Sequence, residues 1–426
     1  MLNYRYNIIN LIKIALSVLN MVLMLRLFGF SQGSDIYLLA YSLIMSWHFI
    51  PLLFMGQFIQ FYNDLKVESE KLAHNFYNQS LMYSFCLGIL LFTACFLFLK
   101  PIVHLYTLNL DSERLSLLIQ TLHIMIFSNI FAPVVSLTEQ LYIAERKFLL
   151  SYLLQIIMLL GPTIMMCSLI FLNNPNIKLL AISYALSVFA SAIFGAIYCA
   201  KKLIPFKFIF KTKNFIKFIR NSFSMYSGLG IFNCLFPIVL NNFLVIFTNG
   251  IISCFYYSKN AIEAVSLIAI DYTNKNTTSE ISKLVAHKDT GNIKKIIKKY
   301  LQISPLLFFV TAIIVYFMIP IVLKVVFYKT GISLDGKIFA NIFLSLIPWY
   351  IIFTFSCPYS YTNTFGKKSY AVIIANLCFV GVTAIILQYC SKNIYNISYA
   401  MFFAQIIAFI IYWYCAQKTL KALGKE

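Results

Sequence analysis

Charged residues are scarce in this sequence, and acidic ones especially so. Asp, Glu, Lys and Arg make up 11% of the 426 residues, whereas hydrophobic residues make up 61% and the mean hydropathy is +0.81. A soluble domain of this size would then have a largely apolar surface, so the composition excludes that class. The apolar stretches recur, and each is long enough to cross about 30 Å of hydrocarbon as a helix. We therefore predict an all-α polytopic membrane protein.

Motifs of catalysis and of metal binding are also missing from the sequence. There is no Walker A motif, so the chain does not itself hydrolyse ATP, and there is no HExxH or GxSxG signature of a hydrolase. The ten cysteines form no CxxC pair, and most lie in apolar runs as small hydrophobic residues. The five histidines are dispersed. We predict a transporter, not an enzyme, that uses no cofactor and no metal.

Twelve apolar segments are long enough to span the membrane. They cover residues 8–28, 35–61, 79–99, 115–139, 149–172, 179–199, 222–247, 251–273, 301–327, 338–360, 369–390 and 395–416. The basic segment 201–220 follows the sixth span, and the joints "LFGFSQGSDIYLLAYS" (27–42) and "IFTNGIISCFYYSKN" (246–260) echo each other. We predict two six-helix lobes, residues 1–205 and 206–426, related as parallel repeats around a central cavity.

Basic residues are concentrated in alternate connections between the spans. With a cytoplasmic N-terminus, 25 Lys and Arg residues fall on the cytoplasmic side and 8 on the outer side, with Lys259 inside a span. This asymmetry predicts a protein of the bacterial inner membrane with both termini in the cytoplasm. The basic segments 201–220 and 283–299 indicate contact with anionic lipids; the alternative is recruitment of a polyanionic substrate headgroup or a partner enzyme. Nucleic acid is not expected as a partner, because the basic residues sit between spans.

Polar side chains inside the spans are concentrated in the first two spans of each half. The candidate cavity residues are Arg26, Asp35, His48, Gln57, Asn241, Lys259, Asn260 and Glu263. Intramembrane polar residues face the bundle interior or a water-filled cavity. Lys259 and Glu263 are four residues apart and share one helical face, and Asp271 falls on roughly the same face. This pair either binds an anionic headgroup and exchanges a cation or proton, or neutralises itself as a structural pair.

Two opposite charges flank the joint between the first two spans. Arg26 ends the first span and Asp35 begins the second, and Gly29 and Gly33 lie between them in a predicted turn. We expect Asp35 to cap the second helix and Arg26 to complement the negative end of the first. Arg26 also has a functional interpretation, in which it faces the cavity and meets a phosphate. His48 is either a hydrogen-bonded packing residue or a proton relay or headgroup contact.

The stretch "RLFGFSQGSDIYLLAYSL" (26–43) resembles the N-terminal pattern of the lipid-linked saccharide flippases of the multidrug/oligosaccharidyl-lipid/polysaccharide (MOP) superfamily. Residues 253–284, "SCFYYSKNAIEAVSLIAIDYTNKNTTSEISKL", are similar to the eighth span of the same family. The resemblance implies two six-helix lobes that form a V around a cavity opening alternately to each side. Twelve spans in 426 residues fit the polysaccharide, O-antigen branch of the superfamily.

The lipid II flippase branch is the most similar in pattern, but this sequence departs from it. At or near the arginine positions of that branch it has Ile14, Asn20, His48, Pro51 and Asn260. These departures favour another polyprenyl-linked glycan, of the O-antigen or capsule type. The resemblance thus implies a flippase that moves a polyprenyl-pyrophosphate-linked oligosaccharide from the cytoplasmic to the outer leaflet by alternating access. The alternatives are a lipid II flippase and a cation-coupled multidrug antiporter of the same fold.

Partners follow from the same resemblance. We expect the protein to bind a polyprenyl-linked glycan and anionic lipids, and to be a monomer. A glycan polymerase or other assembly proteins are its expected protein partners.

Overall fold

The structure is a computed structural model that describes residues 4–211, 215–327, 334–366 and 369–424. Over these residues the chain is α-helical and forms no β-strand. Two compact units make up the chain, Met1–Tyr226 and Ser227–Glu426. The lobes expected at 1–205 and 206–426 stay a prediction.

The first unit contains ten helices among its described residues. They are α1 (Tyr4–Phe28), α2 (Gln32–His48), α3 (Ile50–Met55), α4 (Phe58–Glu68), α5 (Glu70–Leu97), α6 (Leu99–Tyr106), α7 (Ser112–Met125), α8 (Ser128–Ala144), α9 (Phe148–Phe171) and α10 (Ile177–Lys202). In its core α5 packs against α8 and α4, α10 packs against α7, α8 and α9, and α1 packs against α9.

The second unit begins inside a long helix, α11 (Phe215–Leu244). It continues with α12 (Ile251–Ala269), α13 (Asp271–Ala286), α14 (Thr290–Phe327), α15 (Leu334–Phe365), α16 (Ser369–Tyr389) and α17 (Tyr395–Leu423). Its core is built around α15, which packs against α12, α14 and α17.

Ten helical stretches in the described part of the chain are long and apolar enough to cross a membrane, with α2 to α4 counted as one. The pair α7 and α8, bent by 49°, brings the number to eleven. The remaining predicted span, 251–273, corresponds largely to α12, which carries Lys259, Asn260 and Glu263 and is not among these stretches. The multi-pass architecture is therefore confirmed.

The joint between α1 and α2 is shorter than expected from the sequence, because α1 ends at Phe28 and α2 already begins at Gln32. Gly29 follows α1 with a φ of 60°, a left-handed conformation that favours glycine. Ser31 is the N-cap of α2 and forms a capping box with Ser34. The prediction that Asp35 caps this helix is therefore wrong. Asp35 lies in the first turn of α2, where its charge still complements the positive helix end.

The eighth predicted span is not one continuous helix. α12 ends at Ala269, and Ile270 has a φ of −131°, outside the helical range, before α13 begins at Asp271. The prediction that Asp271 continues the face of Lys259 and Glu263 is wrong, because this break changes the helical register.

Candidate functional site

The eight candidate cavity residues divide equally between the two units. The first unit holds Arg26, Asp35, His48 and Gln57, and the second holds Asn241, Lys259, Asn260 and Glu263. In the second unit three of these residues, Lys259, Asn260 and Glu263, lie on one helix.

Helix α12 carries three of the four candidate residues of the second unit, Lys259, Asn260 and Glu263. Its first two turns are buried from Ile252 to Ser258, and Ser258 Oγ donates to the carbonyl oxygen of Phe339 on α15 over 2.9 Å. This buried hydrogen bond to a neighbouring helix fixes the rotation of α12 about its axis. The rotation in turn decides where Lys259, the next residue, and Glu263, one turn beyond it, lie.

Lys259 and Glu263 form the ion pair that their spacing predicts. Lys259 Nζ lies 2.6 Å from Glu263 Oε1, and the two side chains are 24% and 42% exposed. Both side chains are thus partly accessible, so a ligand can contact either the ammonium or the carboxylate without a movement of α12. Asn260, half-buried, follows directly on the same helix.

A tyrosine from a neighbouring helix lies next to this ion pair. Tyr350 of α15 lies beside Ser266 and Glu263 of α12. Phe308 of α14 stacks on the Tyr350 ring with centroids 5.1 Å apart. Sequence analysis did not single out Tyr350, because it stands in an apolar run next to Trp349 and gives no periodic polar signal.

Asn241 connects α11 to the same helix. Its side chain is fully buried, and Oδ1 accepts a hydrogen bond from the hydroxyl of Tyr256 on α12. Its Nδ2 has no hydrogen-bond partner among the described residues. An unsatisfied buried amide donor costs about 1–3 kcal/mol. Such a donor is stabilised when a ligand or a water molecule accepts from it.

In the first unit, Arg26 and Asp35 have contrasting environments. Arg26 lies in the last turn of α1 with its side chain exposed, whereas Asp35 is fully buried in α2. Asp35 is therefore shielded from solvent and from any large ligand in this conformation. Of the two, Arg26 is the residue that a large anionic ligand can reach.

His48 and Gln57 mark the two breaks in the helical stretch from α2 to α4. His48 ends α2, and its Nε2 lies 3.2 Å from the hydroxyl of Ser128 on α8. Gln57 precedes α4, and its backbone N–H donates to Ser222 Oγ of α11 over 3.2 Å. Both residues have contacts that account for them structurally, and their roles in binding stay predictions.

A carboxylate that the sequence analysis missed lies between α8 and α9. Glu139 Oε1 accepts hydrogen bonds from Ser151 Oγ, at 3.1 Å, and from Gln155 Nε2. No spacing rule predicts this cluster, because Glu139 and Gln155 lie on different helices.

A second missed carboxylate forms an ion pair at the end of α8. Glu145 Oε1 lies 2.6 Å from Lys66 Nζ and 2.5 Å from the hydroxyl of Tyr62, both on α4. Burial raises the pKa of the Glu145 carboxyl, but the hydrogen bonds from Lys66 and Tyr62 outweigh burial and hold the pKa below its usual value. This ion pair holds α4 against the end of α8. Its role is structural, so the Lys259–Glu263 pair on α12 can be compared with it.

Within each unit, the arrangement of the polar side chains is suited to reversible binding of a ligand. Partly exposed charges stand beside buried amide and hydroxyl groups, and no group of three His, Cys, Asp or Glu side chains in the described residues could hold a metal ion. An ammonium group such as that of Lys259 offers three donors for phosphate oxygens. Asn and Tyr side chains offer hydrogen bonds to sugar hydroxyls.

Comparison with known proteins identifies the family. The family model for the lipid II flippase MurJ matches residues 24–425 of the chain. No curated protein sequence gives a match.

Solved structures with similar folds come from the same superfamily. An inward-facing multidrug resistance MATE family transporter of the MOP superfamily matches at 12% identity with a TM-score of 0.79, over 98% of this chain and 99% of its own. The lipid II flippase MurJ in an inward closed conformation matches at 16% identity and 0.71, over 99% and 90%. A MOP superfamily transporter from Pyrococcus furiosus matches at 14% identity and 0.70, over 99% and 96%.

These identities are low, so the structural matches establish the fold alone. They confirm the predicted class, the all-helical, two-lobe fold of the MOP transporters with about twelve spans. The family match extends over nearly the whole chain and is the finding that identifies it. The chain belongs to the lipid II flippase MurJ family, whose members are lipid-linked flippases or transporters and not enzymes.

Proposed function

We propose that the protein moves a polyprenyl-pyrophosphate-linked saccharide from the cytoplasmic to the outer leaflet of the bacterial inner membrane by alternating access. The observation that carries the proposal is the partly exposed Lys259–Glu263 pair on helix α12. A pair buried only for structure needs no solvent access, whereas a phosphate-binding ammonium group must be reachable.

The ion pair suits a substrate that arrives with negative charge. A pyrophosphate competes with Glu263 for the Lys259 ammonium, because charge-assisted hydrogen bonds to phosphate are as favourable as those to a carboxylate. Glu263, once displaced, is free to take up a proton or a cation. The pair thereby links occupancy by the substrate to the charge state of the carboxylate.

The saccharide requires neutral hydrogen-bonding groups near that charge. Asn260 follows Lys259 on α12, and the Nδ2 group of the buried Asn241 is a donor without a described partner. Sugar hydroxyls accept and donate hydrogen bonds, so the half-buried Asn260 is the amide we assign to the glycan. The fully buried Asn241 can bind sugar only in a state of alternating access that exposes it. In the first unit, Arg26, exposed at the end of α1, is assigned to a separate, later contact with the pyrophosphate as the substrate leaves.

The departures from the lipid II branch at Ile14, Asn20 and Asn260 favour a glycan of the O-antigen or capsule type. The family match favours lipid II itself as the second candidate. The fold of the MATE transporters suggests a cation-coupled drug antiporter. The candidate residues count against that function, since the charges of Arg26 and Lys259 equal those of Asp35 and Glu263 in number, whereas a cationic drug requires a net negative site.

Complementation separates these functions. The gene is expressed in a bacterial strain depleted of its lipid II flippase and, separately, in one that lacks its O-antigen flippase. We expect surface O-antigen to return in the second strain. Growth rescue of the first strain alone would assign lipid II, and resistance to cationic drugs without either rescue would contradict the proposal.

We propose that both termini and the segment 201–220 are cytoplasmic, on the strength of the charge asymmetry. Cys390 is exposed and falls on the outer side in this topology, so a membrane-impermeant maleimide should label it in intact cells. Lys211 is exposed as well. In a Cys390→Ser background, Lys211→Cys should react only after the membrane is permeabilised, and labelling in intact cells would reverse the topology.

A further inference from the structure

An apolar groove runs along the exposed side of α10 and ends at two lysines. The groove has a volume of about 560 Å³, and its lining includes Phe189, Ile193, Phe194, Ile197, Lys201 and Lys202. These positions recur at intervals of three and four residues, so they lie on one helical face. Ile193 and Ile197 are 41% and 50% exposed on a helix that is long and apolar enough to span the membrane. That face is turned toward lipid.

The dimensions of the groove match one leaflet. From Phe189 to Lys201 the helix rises about 18 Å, at about 1.5 Å per residue. Half of a hydrocarbon core of about 30 Å is about 15 Å. An acyl chain of the adjacent leaflet can therefore lie along the groove while its headgroup reaches the lysine pair.

The segment that follows α10 continues the same surface into the headgroup region. Residues 204–211 form no helix or strand, and two buried carboxamides of α5 hold their backbone. Asn78 Nδ2 donates to the carbonyl oxygen of Pro205 at 3.2 Å, and Gln79 Nε2 donates to that of Phe210 at 2.9 Å.

This anchoring leaves aromatic side chains exposed between lysines. Phe206, Phe208 and Phe210 are 45%, 71% and 73% exposed. Residues 201–220 contain seven basic residues and no acidic one. Exposed phenylalanines are unfavourable in water but stable at the boundary between headgroups and acyl chains, and interleaved lysines are attracted to anionic headgroups.

We propose that the α10 groove and the segment 204–211 form a binding site for an anionic phospholipid. An acyl chain occupies the groove, the phosphate lies at Lys201 and Lys202, and the exposed phenylalanines insert beside the headgroup. An acidic protein partner fits less well, because the groove lies within the membrane-spanning part of α10. The site is independent of the polar residues of α12 and does not rest on the proposed transport function.

Native mass spectrometry of the full-length protein in detergent, titrated with phosphatidylglycerol or phosphatidylcholine, tests the site. We expect phosphatidylglycerol to bind more tightly than phosphatidylcholine. Lys201→Gln/Lys202→Gln should weaken phosphatidylglycerol by about tenfold, since two attractive charges are lost. The matched control Lys418→Gln/Lys421→Gln removes two exposed lysines near the end of α17, outside both basic segments, and should leave that affinity unchanged.

A second pair of variants tests the groove itself. Ile197→Trp fills the groove and should weaken phosphatidylglycerol binding, whereas Ile314→Trp, at a position that is 58% exposed on α14, should not. The proposal is overturned if Lys201→Gln/Lys202→Gln and Ile197→Trp weaken phosphatidylglycerol binding no more than their control variants do. It is also overturned if neither of them weakens that binding. A polyprenyl phosphate that displaces phosphatidylglycerol at a tenth of its concentration would also overturn it and assign the groove to the substrate lipid.

Discussion

Replacing Lys259 with alanine should reduce transport by at least tenfold while the protein stays folded in the membrane. A charge-assisted hydrogen bond is worth about 1.5–3 kcal/mol, which corresponds to roughly a 10- to 100-fold change in rate when it is made on the transport path. Surface glycan in the complemented strain measures transport, and membrane protein level measures folding. Lys259→Arg keeps the charge and should retain most of the activity.

The double variant Lys259→Ala/Glu263→Ala separates a binding role from a structural one. In the single variant Glu263 loses its partner at 2.6 Å, so some of the defect could come from an unpaired carboxylate. The double variant removes that carboxylate. If Lys259 contacts the substrate, the double variant stays inactive; recovery of activity would show that the pair serves structure alone.

The pair between Lys66 and Glu145 provides a matched control with the same 2.6 Å separation. Lys66→Ala should lower thermal stability at neutral pH and leave transport per folded molecule unchanged. Because the pKa of Glu145 is lowered in the folded state, the pair stabilises the protein above the unfolded pKa of about 4.3 and loses this effect as the pH falls through the folded pKa. The effect of Lys66→Ala should therefore shrink in acid.

Gly88→Ala should sharply reduce the yield of folded protein. Gly88 of α5 is buried against α8, and a Cβ at this position would lie 2.2 Å from the carbonyl oxygen of Ile130. That neighbour is backbone, so the helices must separate. Overpacking costs about 1–3 kcal/mol and sometimes more. Monodisperse yield after solubilisation and the thermal midpoint measure the loss.

Gly381→Ala is the control for this effect. Gly381 is exposed in the middle of α16, and a Cβ there would meet nothing within 4 Å. Replacing an exposed helical glycine with alanine contributes about 0.5–1 kcal/mol of stability. Equal yields for Gly88→Ala and Gly381→Ala would contradict the close packing of α5 on α8.

Features set by local chain geometry were predictable from the sequence. The apolar runs gave the membrane-spanning helices, and the four-residue spacing of Lys259 and Glu263 gave their contact. The helices nevertheless extend past the predicted spans: α14 begins at Thr290, well before the predicted residue 301. Hydropathy detects only the part of a helix in lipid, whereas its backbone hydrogen bonds continue into polar sequence.

Features set by tertiary packing were not predictable. The contacts Lys66–Glu145 and Glu139–Gln155 join separate helices, so no periodicity signals them. The assignment of the α2 cap to Asp35 failed for a different reason. Ser31 and Asp35 both have side chains that can cap a helix, and only the observed start of α2 at Gln32 decides between them.

Reconstitution tests the central claim most directly. The purified protein is placed in liposomes with a fluorescent polyprenyl-pyrophosphate-linked oligosaccharide, and a membrane-impermeant reductant reports the fraction of label that reaches the outer leaflet. We expect rapid exposure of the initially protected label with the wild-type protein and exposure at least tenfold slower with Lys259→Ala. Wild-type liposomes that protect the label as well as protein-free liposomes would contradict the central claim.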